Sequence, residues 1–164
     1  MMSPEPASPI KLHGLLAEDR VLARMRATDR AAVLEEMVAA AVGCVPGLTA
    51  AGLLDKLLER ERLGSTAIGG GWAIPHGKVE GLAVPVVVLG VSPWGVDFAA
   101  PDGKLCRGFV LAVSAAETPG QNLRILAATA QLLRRSKDLL PRIAAAGTRR
   151  EILALIREEE ERPL

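Results

Sequence analysis

The chain has 164 residues, of which 49% are hydrophobic and 24% charged, and its net charge is +1. This size and composition are typical of a single globular domain, and the near-neutral charge argues against nucleic-acid binding, for which a clearly basic surface is expected. The sequence contains no apolar run long enough for a membrane span, and its N-terminus lacks a signal-peptide pattern. We therefore predict a cytoplasmic protein with no membrane insertion.

The start of the chain differs from the rest in composition. Residues 1–9 are rich in proline and are predicted to form a flexible tail, whereas residues 10–164 are predicted to form one domain. The two cysteines, Cys44 and Cys106, lie far apart in apolar runs, so we expect buried thiols rather than a disulfide or a metal site. His13 is expected to be a packing or solvated residue rather than a ligand.

Capping residues and apolar runs define the predicted elements. In chain order they are a strand at 21–25, a helix at 31–41 capped by Thr28 or Asp29, a helix at 50–63 capped by Thr49, a short strand at 72–74, strands at 83–91 and 106–113, and helices capped by Thr118, Ser136 and Thr148. The two longer strands are nearly continuous apolar runs, which predicts central strands covered on both faces. Because helices precede and follow the strands without regular alternation, we predict an α/β fold, a three-layer α/β/α sandwich on a mixed sheet.

Periodicity also predicts which side chains face the core. The inward stripe of the helix after Thr118 is expected to comprise Leu123, Leu126, Ala127, Ala130 and Leu133. The acidic run Glu158–Glu161 at the end of the last helix is expected to fray into solvent, since negative charge opposes the dipole at a helix C-terminus. The large aromatic residues expected in the core rather than at a contact surface are Trp72, Trp94 and Phe98.

A glycine-rich stretch in the middle of the chain contains His76. Three consecutive glycines, Gly69 to Gly71, permit a tight turn and a close approach to a ligand. Pro75 and Gly77 flank the histidine, so a short strand over Trp72–Ile74 is expected to deliver the imidazole to a surface loop. Imidazole titrates near neutral pH and can serve as a base, a ligand or a nucleophile.

The surroundings of this histidine exclude several kinds of site. The glycines are not followed by the Gly-Lys-Ser/Thr of a P-loop, and they do not open a helix in the dinucleotide-binding pattern. Neighbouring zinc ligands are missing from the sequence, and neither Ser65 nor Ser114 has the setting of a hydrolase nucleophile. A solitary histidine can accept a phosphoryl group if its other nitrogen keeps its proton and nearby donors neutralise the phosphoryl oxygens. From the residues alone, that role and a merely structural loop are equally open.

Arg60 lies a few residues before the glycine-rich stretch, in the cluster of charges that ends the preceding helix. Such a cluster favours a solvated last turn. A guanidinium at this place could also reach an anion held by the loop, because it pairs well with phosphate oxygens. Both interpretations remain open at this stage.

Residues 60–78 read Arg-Glu-Arg-Leu-Gly-Ser-Thr-Ala-Ile-Gly-Gly-Gly-Trp-Ala-Ile-Pro-His-Gly-Lys. This stretch resembles the signature of the IIA domain of the fructose, mannitol and nitrogen-regulatory class in the phosphoenolpyruvate-dependent sugar phosphotransferase system. The resemblance covers roughly residues 10–156 and includes Val96–Gly103 and the helical segment that begins at Asn122. It implies an α/β/α fold on a mixed sheet, which agrees with the order of the predicted elements.

The resemblance also implies a site. His76 is the implied phosphohistidine, and Arg60 is the implied arginine that neutralises the phosphoryl group. The positions expected to support the phosphate are Ser65, Thr66, Gly77 and Asn122. The implied donor is the phosphocarrier HPr or its nitrogen-branch paralogue, and the implied acceptor is a IIB domain, or a kinase or transporter that is regulated. Neither a metal nor an organic cofactor is expected.

Two residues depart from the pattern that the resemblance implies. Gly70 stands where members usually carry asparagine, and Asn122 stands where most carry a second histidine. Asparagine can hydrogen-bond a phosphate but cannot carry a proton or a positive charge. Phosphate acceptance by His76 is expected, while its stabilisation or onward transfer is the step that these replacements affect. The alternative is an interaction protein that keeps the fold and binds partners without phosphoryl transfer.

Overall fold

The computed structural model describes residues 9–43 and 45–163. The predicted flexible tail, apart from its last residue, and Cys44 lie outside these ranges. The helices are α1 (Arg30–Val42), α2 (Ala50–Leu63), α3 (Pro119–Arg135), α4 (Leu139–Ala145) and α5 (Arg149–Glu161). The strands are β1 (Val21–Leu22), β2 (Ala67–Gly69), β3 (Trp72–Ala73), β4 (His76–Val79), β5 (Val86–Val96) and β6 (Cys106–Ala115). Two short 3-10 turns, Leu12–Gly14 and Glu18–Arg20, precede β1.

The strands of the described chain form one mixed sheet in the order β1-β5-β6-β3-β2, with β4 also paired to β6. β5 and β6 are antiparallel, whereas β3 and β4 both run parallel to β6. The chain therefore follows the same edge of β6 twice, and β4 continues along β6 where β3 ends. As a result His76, the first residue of β4, lies opposite Ala112 of β6.

Helices cover both faces of the sheet. On one face α1 and α2 pack over a core that includes Leu34, Met37, Leu57, Phe109 and Leu111. On the other face α3, α4 and α5 pack over a core that includes Val87, Leu89, Val110, Ile125 and Ile152. Side chains of a strand alternate between its faces, so the continuous apolar runs of β5 and β6 supply both cores. The predicted three-layer α/β/α sandwich on a mixed sheet is confirmed.

Most of the predicted helix starts are found. Asp29 caps α1 and Thr148 caps α5, each through a side-chain oxygen that accepts a backbone N–H of the first turn. Thr49 and Thr118 stand at the N-cap positions of α2 and α3 but make no side-chain capping bond. The prediction that Ser136 caps a helix was wrong, since this residue ends α3 and α4 begins three residues later.

Two of the predicted strands differ in length from those observed. β1 has two residues instead of five, and β5 continues through Pro93-Trp94-Gly95, although proline and glycine are typical of turns. The pairing of β5 with β6 shifts register between Val91 and Val96, and a bulge of this kind redirects side chains. Trp94 is 66% exposed, with the Arg24 guanidinium 5.6 Å from its ring centroid. Its predicted place in the core was therefore wrong, whereas Trp72 and Phe98 are buried.

The predicted inward stripe of α3 was wrong at two positions. Leu123 is 67% exposed and Ala127 is also exposed, while the buried face includes Asn122, Ile125 and Thr129. Periodicity assigns apolar residues to the core, so it cannot anticipate that a polar residue turns inward to meet a buried partner. The rotation of α3 leaves Leu123 on the surface beside Asn122.

The predicted fraying of Glu158–Glu161 was also wrong. α5 continues to Glu161, and Glu159 and Glu160 are held against the body of the protein. The Glu160 carboxylate accepts hydrogen bonds from the backbone N–H groups of Leu12 and His13 and contacts Nδ1 of His13 at 2.7 Å. These donors come from the other end of the chain, so the sequence of α5 alone could not reveal them. No helix in the described ranges has the length and apolar character needed to cross a membrane.

Candidate phosphoryl site

Strand pairing fixes the backbone on both sides of His76. The residue begins β4 and lies within the sheet, so the prediction of a surface loop was wrong. Ala112 donates its backbone N–H to the carbonyl of Pro75 at 3.0 Å, immediately before the histidine. The side chain is half-buried. An imidazole held in this way has little freedom at its base and presents one edge outward.

The hydrogen bonds of His76 define its tautomer. Nδ1 lies 2.8 Å from the carbonyl oxygen of Ile74, and because a carbonyl can only accept, Nδ1 carries the proton. In the neutral ring Nε2 then has a free lone pair, and Nε of Arg60 donates to it at 3.3 Å. Burial lowers the pKa of His76, the bond to Ile74 opposes that change, and the Arg60 charge adds to the lowering. His76 is therefore uncharged at neutral pH, with its lone pair on Nε2.

Arg60 reaches the histidine from the last turn of α2. Its Nη1 donates to the carbonyl of Gly64, just beyond the helix end, at 2.8 Å. Gly64 has φ of 152°, in the range that favours glycine. Gly77 of β4 allows α2 to pack closely, because a Cβ there would lie 3.3 Å from Cδ2 of Leu57. Close packing of α2 on β4 thus brings the guanidinium to the imidazole.

Asn122 enters the same region from the first turn of α3 and is only 4% exposed. Its Oδ1 accepts a hydrogen bond from the hydroxyl of Ser114 on β6 at 2.8 Å. Ser114 lies opposite Lys78 of β4 in the sheet, two residues beyond the partner of His76. The side chain of Asn122 is therefore tied to the sheet next to the strand that holds the histidine.

A groove of about 420 Å³ lies between α2 and α3 along β4. Of the six predicted site residues, His76, Arg60, Gly77 and Asn122 line this groove. Its other lining residues are the charged Lys56, Glu59 and Lys78 and the apolar Leu63, Leu123 and Leu126. Three cations against one carboxylate favour an anionic ligand, and the exposed leucines offer apolar contact beside it. Within residues 9–43 and 45–163, no group of three or more histidine, cysteine, aspartate or glutamate side chains could hold a metal ion.

Ser65 and Thr66 do not line the groove. The Ser65 hydroxyl donates to the carbonyl of Phe98 and accepts from the backbone N–H of Ala67 at 3.0 Å. Thr66 is buried, and both its hydroxyl and its backbone N–H donate to the carboxylate of Glu61. Both hydroxyls are thus engaged in the connection between α2 and β2, which also contains the carbonyl that anchors Arg60.

Glu61 is a residue that the sequence interpretation missed. It belongs to the charge cluster at the end of α2, for which the sequence favours a solvated last turn, yet it is buried and its Oε2 lies 3.8 Å from Nη1 of Arg30. Its charge opposes the effect of Arg60 on His76, since a nearby carboxylate favours the protonated imidazole. The spacing from Leu57, four residues earlier on the inward face of α2, was the signal that could have predicted its burial.

The three glycines lie away from the histidine. Gly69 to Gly71 all have positive φ and form the turn between β2 and β3. The carbonyl of Gly71 accepts from the backbone N–H of Gly108, whereas His76 lies opposite Ala112, about 13 Å further along β6 at the usual rise per residue. The turn therefore does not line the groove that contains His76. Gly71 serves packing instead, because a Cβ there would meet Cδ2 of Leu140 at 2.8 Å.

Comparison with known proteins assigns the chain to a family. Residues 14–159 match the family model described as phosphoenolpyruvate-dependent sugar phosphotransferase system, EIIA 2. The chain belongs to this family. Among EIIA 2 relatives, the nitrogen regulatory protein of Pseudomonas aeruginosa is 31% identical over 148 residues, which cover 90% of this chain and 95% of that protein.

Solved structures show that the fold is shared with IIA proteins. The nitrogen regulatory protein IIA-Ntr of Neisseria meningitidis matches with a TM-score of 0.81 at 24% identity. The match covers 88% of this EIIA 2 chain and 98% of the Neisseria protein. Enzyme IIAMTL of Escherichia coli, solved in complex with phosphorylated enzyme IIBMTL, matches with a TM-score of 0.72 at 17% identity, covering 87% of this chain and 97% of the other. The mixed sheet and the helices described above are thus the IIA arrangement.

Proposed function

We propose that this EIIA 2 protein carries a phosphoryl group on Nε2 of His76. The group is accepted from an HPr-type phosphocarrier and is passed to a IIB domain or kept as a regulatory mark. The observation that carries the proposal is the tautomer of His76, whose Nδ1 proton is held by the carbonyl of Ile74 while the Nε2 lone pair faces the groove and Arg60. A neutral imidazole with a free lone pair is the form that attacks phosphorus.

The transfer can be written with few participants. The Nε2 lone pair forms a bond to the phosphorus of the donor phosphohistidine, and the donor N–P bond breaks with its electron pair returning to the donor imidazole. Nε2 carries no proton in this tautomer, so none has to leave His76. Arg60 then exchanges its contact with the lone pair for a contact with the phosphoryl oxygens. Positioning and charge supply most of the catalysis in such a step, and the step as written needs no metal or organic cofactor.

The surface around the groove supports exchange with protein partners. Leu63 and Leu123 are exposed on opposite sides of the histidine, and the cations Lys56 and Lys78 lie at the same groove. A partner that delivers a phosphoryl group brings negative charge, which these cations attract. Such partners must also leave quickly, so we expect an interface near the small end of the usual range, about 1,200 Å² or less.

The kind of partner follows from the relatives. The Escherichia coli complex contains a phosphorylated IIB protein, which supports a IIB domain as acceptor. The relative from Pseudomonas aeruginosa is named a nitrogen regulatory protein, which favours a regulatory use of the phosphoryl group and a regulated kinase or transporter as partner. A cytoplasmic location stays a prediction.

The test uses the purified chain and a phosphorylated HPr-type protein. Intact mass spectrometry should show one added phosphoryl group that is lost in acid, as expected for phosphohistidine. His76→Ala should take up none. The matched control is His13→Gln, since His13 is the other histidine of the chain and lies at the Glu160 contact. A label that persists in His76→Ala, or a parent protein that binds the donor without taking its phosphoryl group, would overturn the proposal and leave the non-catalytic interaction protein.

A further inference from the structure

We propose that Ser114 is a positioning residue. Its hydroxyl fixes the amide of Asn122 so that Nδ2 of Asn122 donates a hydrogen bond to the phosphoryl group on His76. The inference rests on the proposed function, because it concerns the phosphorylated state of the same site. It assigns a role to a buried side chain of the central strand that has no part in the transfer step itself.

The sheet register brings Ser114 to this place. Ala112 lies opposite His76, and Ser114 lies two residues further along β6, opposite Lys78. Residues two apart on a strand point to the same face of the sheet, and Ala112 belongs to the core under α3, α4 and α5. Ser114 is fully buried on that face, where the first turn of α3 places Asn122 within hydrogen-bonding distance.

The hydrogen bond selects one of the two orientations of the amide. The hydroxyl of Ser114 donates to Oδ1 of Asn122 at 2.8 Å, so the carbonyl end of the amide is turned toward the sheet. Asn122 can then offer its NH₂ end to the groove, which it lines together with His76. In the reversed orientation the hydroxyl would accept from Nδ2 instead, so its own buried hydrogen would lose this acceptor, and the amide oxygen would face the phosphoryl oxygens and repel them.

The amide supplies a donor of a different kind from the cations of the groove. Arg60 approaches Nε2 from α2, whereas Asn122 lies on α3, on the other wall of the groove. The phosphoryl oxygens would thus meet a charged donor from one helix and a neutral donor from the other. A donor that is already oriented does not lose rotational freedom when the phosphoryl group arrives, so it should prolong the life of the phosphohistidine.

The test measures the lifetime of the phosphohistidine in protein labelled with phosphoramidate, a small phosphoryl donor that needs no protein partner. Decay is followed by intact mass spectrometry and ³¹P NMR. Ser114→Ala should shorten the lifetime about two- to tenfold, the range that the loss of one neutral hydrogen bond predicts. Asn122→Ala should shorten it at least as much, and Asn122→Asp should shorten it most because a carboxylate would replace the donor.

A double-mutant cycle separates positioning from general loosening of the fold. If Ser114 acts through Asn122, then Ser114→Ala combined with Asn122→Ala should decay no faster than Asn122→Ala alone. The matched control is Thr129→Val, which alters another buried polar residue of α3 outside the groove and should leave the lifetime unchanged. If Ser114→Ala does not fold, Ser114→Cys gives the same comparison, because a thiol of similar size is a weaker donor and should shorten the lifetime less.

The outcomes are distinguishable. A Ser114 variant with the parent lifetime, or additive effects in the cycle, would overturn the positioning role while the proposed function stands. A parent protein that is labelled by phosphoramidate and shows the expected cycle, yet takes nothing from an HPr-type donor, would overturn the proposed function and support the positioning role.

Discussion

Nε of Arg60 lies 3.3 Å from Nε2 of His76, so the guanidinium donates to the nitrogen that we propose as the phosphoryl acceptor. Under the proposed function this contact acts in both states of the site. Before transfer, the cation disfavours protonation of the imidazole and helps to keep its lone pair available. After transfer, the same cation faces about −1.5 to −2 units of phosphoryl charge, a range measured for phosphorylated side chains near neutral pH.

Arg60→Ala should slow phosphoryl acceptance by about tenfold or more, because a hydrogen bond to a charged group is worth roughly 1.5–3 kcal/mol. The thermal midpoint should stay within a few degrees of the parent, since the side chain is only half-buried and bonds a single carbonyl, that of Gly64. Rapid-quench measurement of transfer from a phosphorylated HPr-type donor gives the rate, and calorimetry gives the midpoint.

Two further variants define what Arg60 contributes. Arg62→Ala removes an exposed cation two residues further along the same helix and should leave the rate unchanged. Arg60→Lys keeps the positive charge but lacks the planar guanidinium group, so it should give an intermediate rate of phosphoryl acceptance. Equal rates for Arg60→Ala and Arg62→Ala would contradict a specific role for the contact between Arg60 and His76.

The lowered pKa of His76 predicts a pH dependence of both reactivity and stability. In the folded protein the imidazole loses its proton below the ordinary value of 6.5, mainly because of burial, so the nucleophile should persist to lower pH than a free imidazole would. The unfolded chain binds the proton more readily in the window just below pH 6.5, so the contribution of His76 to stability is fully present above 6.5 and is lost as the pH falls through the folded pKa.

NMR titration of the His76 ring gives its protonation midpoint directly. The midpoint should lie below 6.5 in the parent and should rise in Arg60→Ala, because the Arg60 charge contributes to the lowering. The loss of unfolding free energy on going below pH 6.5 should be smaller in His76→Asn than in the parent. A parent midpoint at or above 6.5 would contradict the hydrogen-bonding state described for the site.

Much of the architecture could be predicted from local patterns. The continuous apolar runs of β5 and β6 could be assigned to central strands, because a strand covered on both faces needs apolar residues at every position. Arg60 and His76 were singled out by the resemblance of residues 60–78 to a family signature, while periodicity alone left both with a structural alternative. The family match over residues 14–159 confirms the resemblance, and the roles of the two residues stay predictions.

The parts that could not be predicted depend on partners far away in sequence. The side chain of Glu160 faces inward because the N–H groups of Leu12 and His13 donate to its carboxylate. Asn122 faces inward because its Oδ1 accepts from the hydroxyl of Ser114 on β6. A pattern of apolar residues carries no information about such pairs, because the second partner belongs to another element. Glu61 is the exception, since its spacing from Leu57 placed it on the inward face.

The Glu160 contact should contribute measurably to stability. Its carboxylate accepts from the N–H groups of Leu12 and His13 at 2.5 and 2.7 Å, so Glu160→Ala should leave two partly buried donors without their acceptor. We expect a loss of about 2–3 kcal/mol in the free energy of unfolding, since hydrogen bonds to a charged group are worth roughly 1.5–3 kcal/mol and do not add fully. Urea unfolding measures this loss.

Glu158→Ala is the matched control. Glu158 is 58% exposed and pairs with Arg142 at 3.3 Å, and an exposed ion pair contributes about 1 kcal/mol or less. Phosphoryl acceptance by His76 should be unchanged in Glu160→Ala, because α5 does not line the groove. Equal stability of the two variants would mean that the N-terminal turn does not depend on this carboxylate.

Two glycines of the central strands should differ in their tolerance of a methyl group. A Cβ at Gly108 of β6 would lie 2.5 Å from Cε3 and Cζ3 of Trp72 and 2.8 Å from Cδ1 of Leu140. A Cβ at Gly90 of β5 would lie 2.5 Å from Sδ of Met25. The indole ring is rigid and buried, so it cannot move aside without disturbing Leu140, whereas a methionine side chain has three rotatable bonds and can repack.

Gly108→Ala should therefore lose about 1–3 kcal/mol of unfolding free energy, the usual range for overpacking a core, and Gly90→Ala should lose less. For a domain of this size each kcal/mol corresponds to roughly 2–4 °C in the thermal midpoint, so calorimetry can separate the two variants. Phosphoryl acceptance should survive in Gly108→Ala, because this residue lies about 13 Å along β6 from the partner of His76. Equal thermal midpoints for the two variants would show that the side chain of Trp72 can repack as readily as that of Met25.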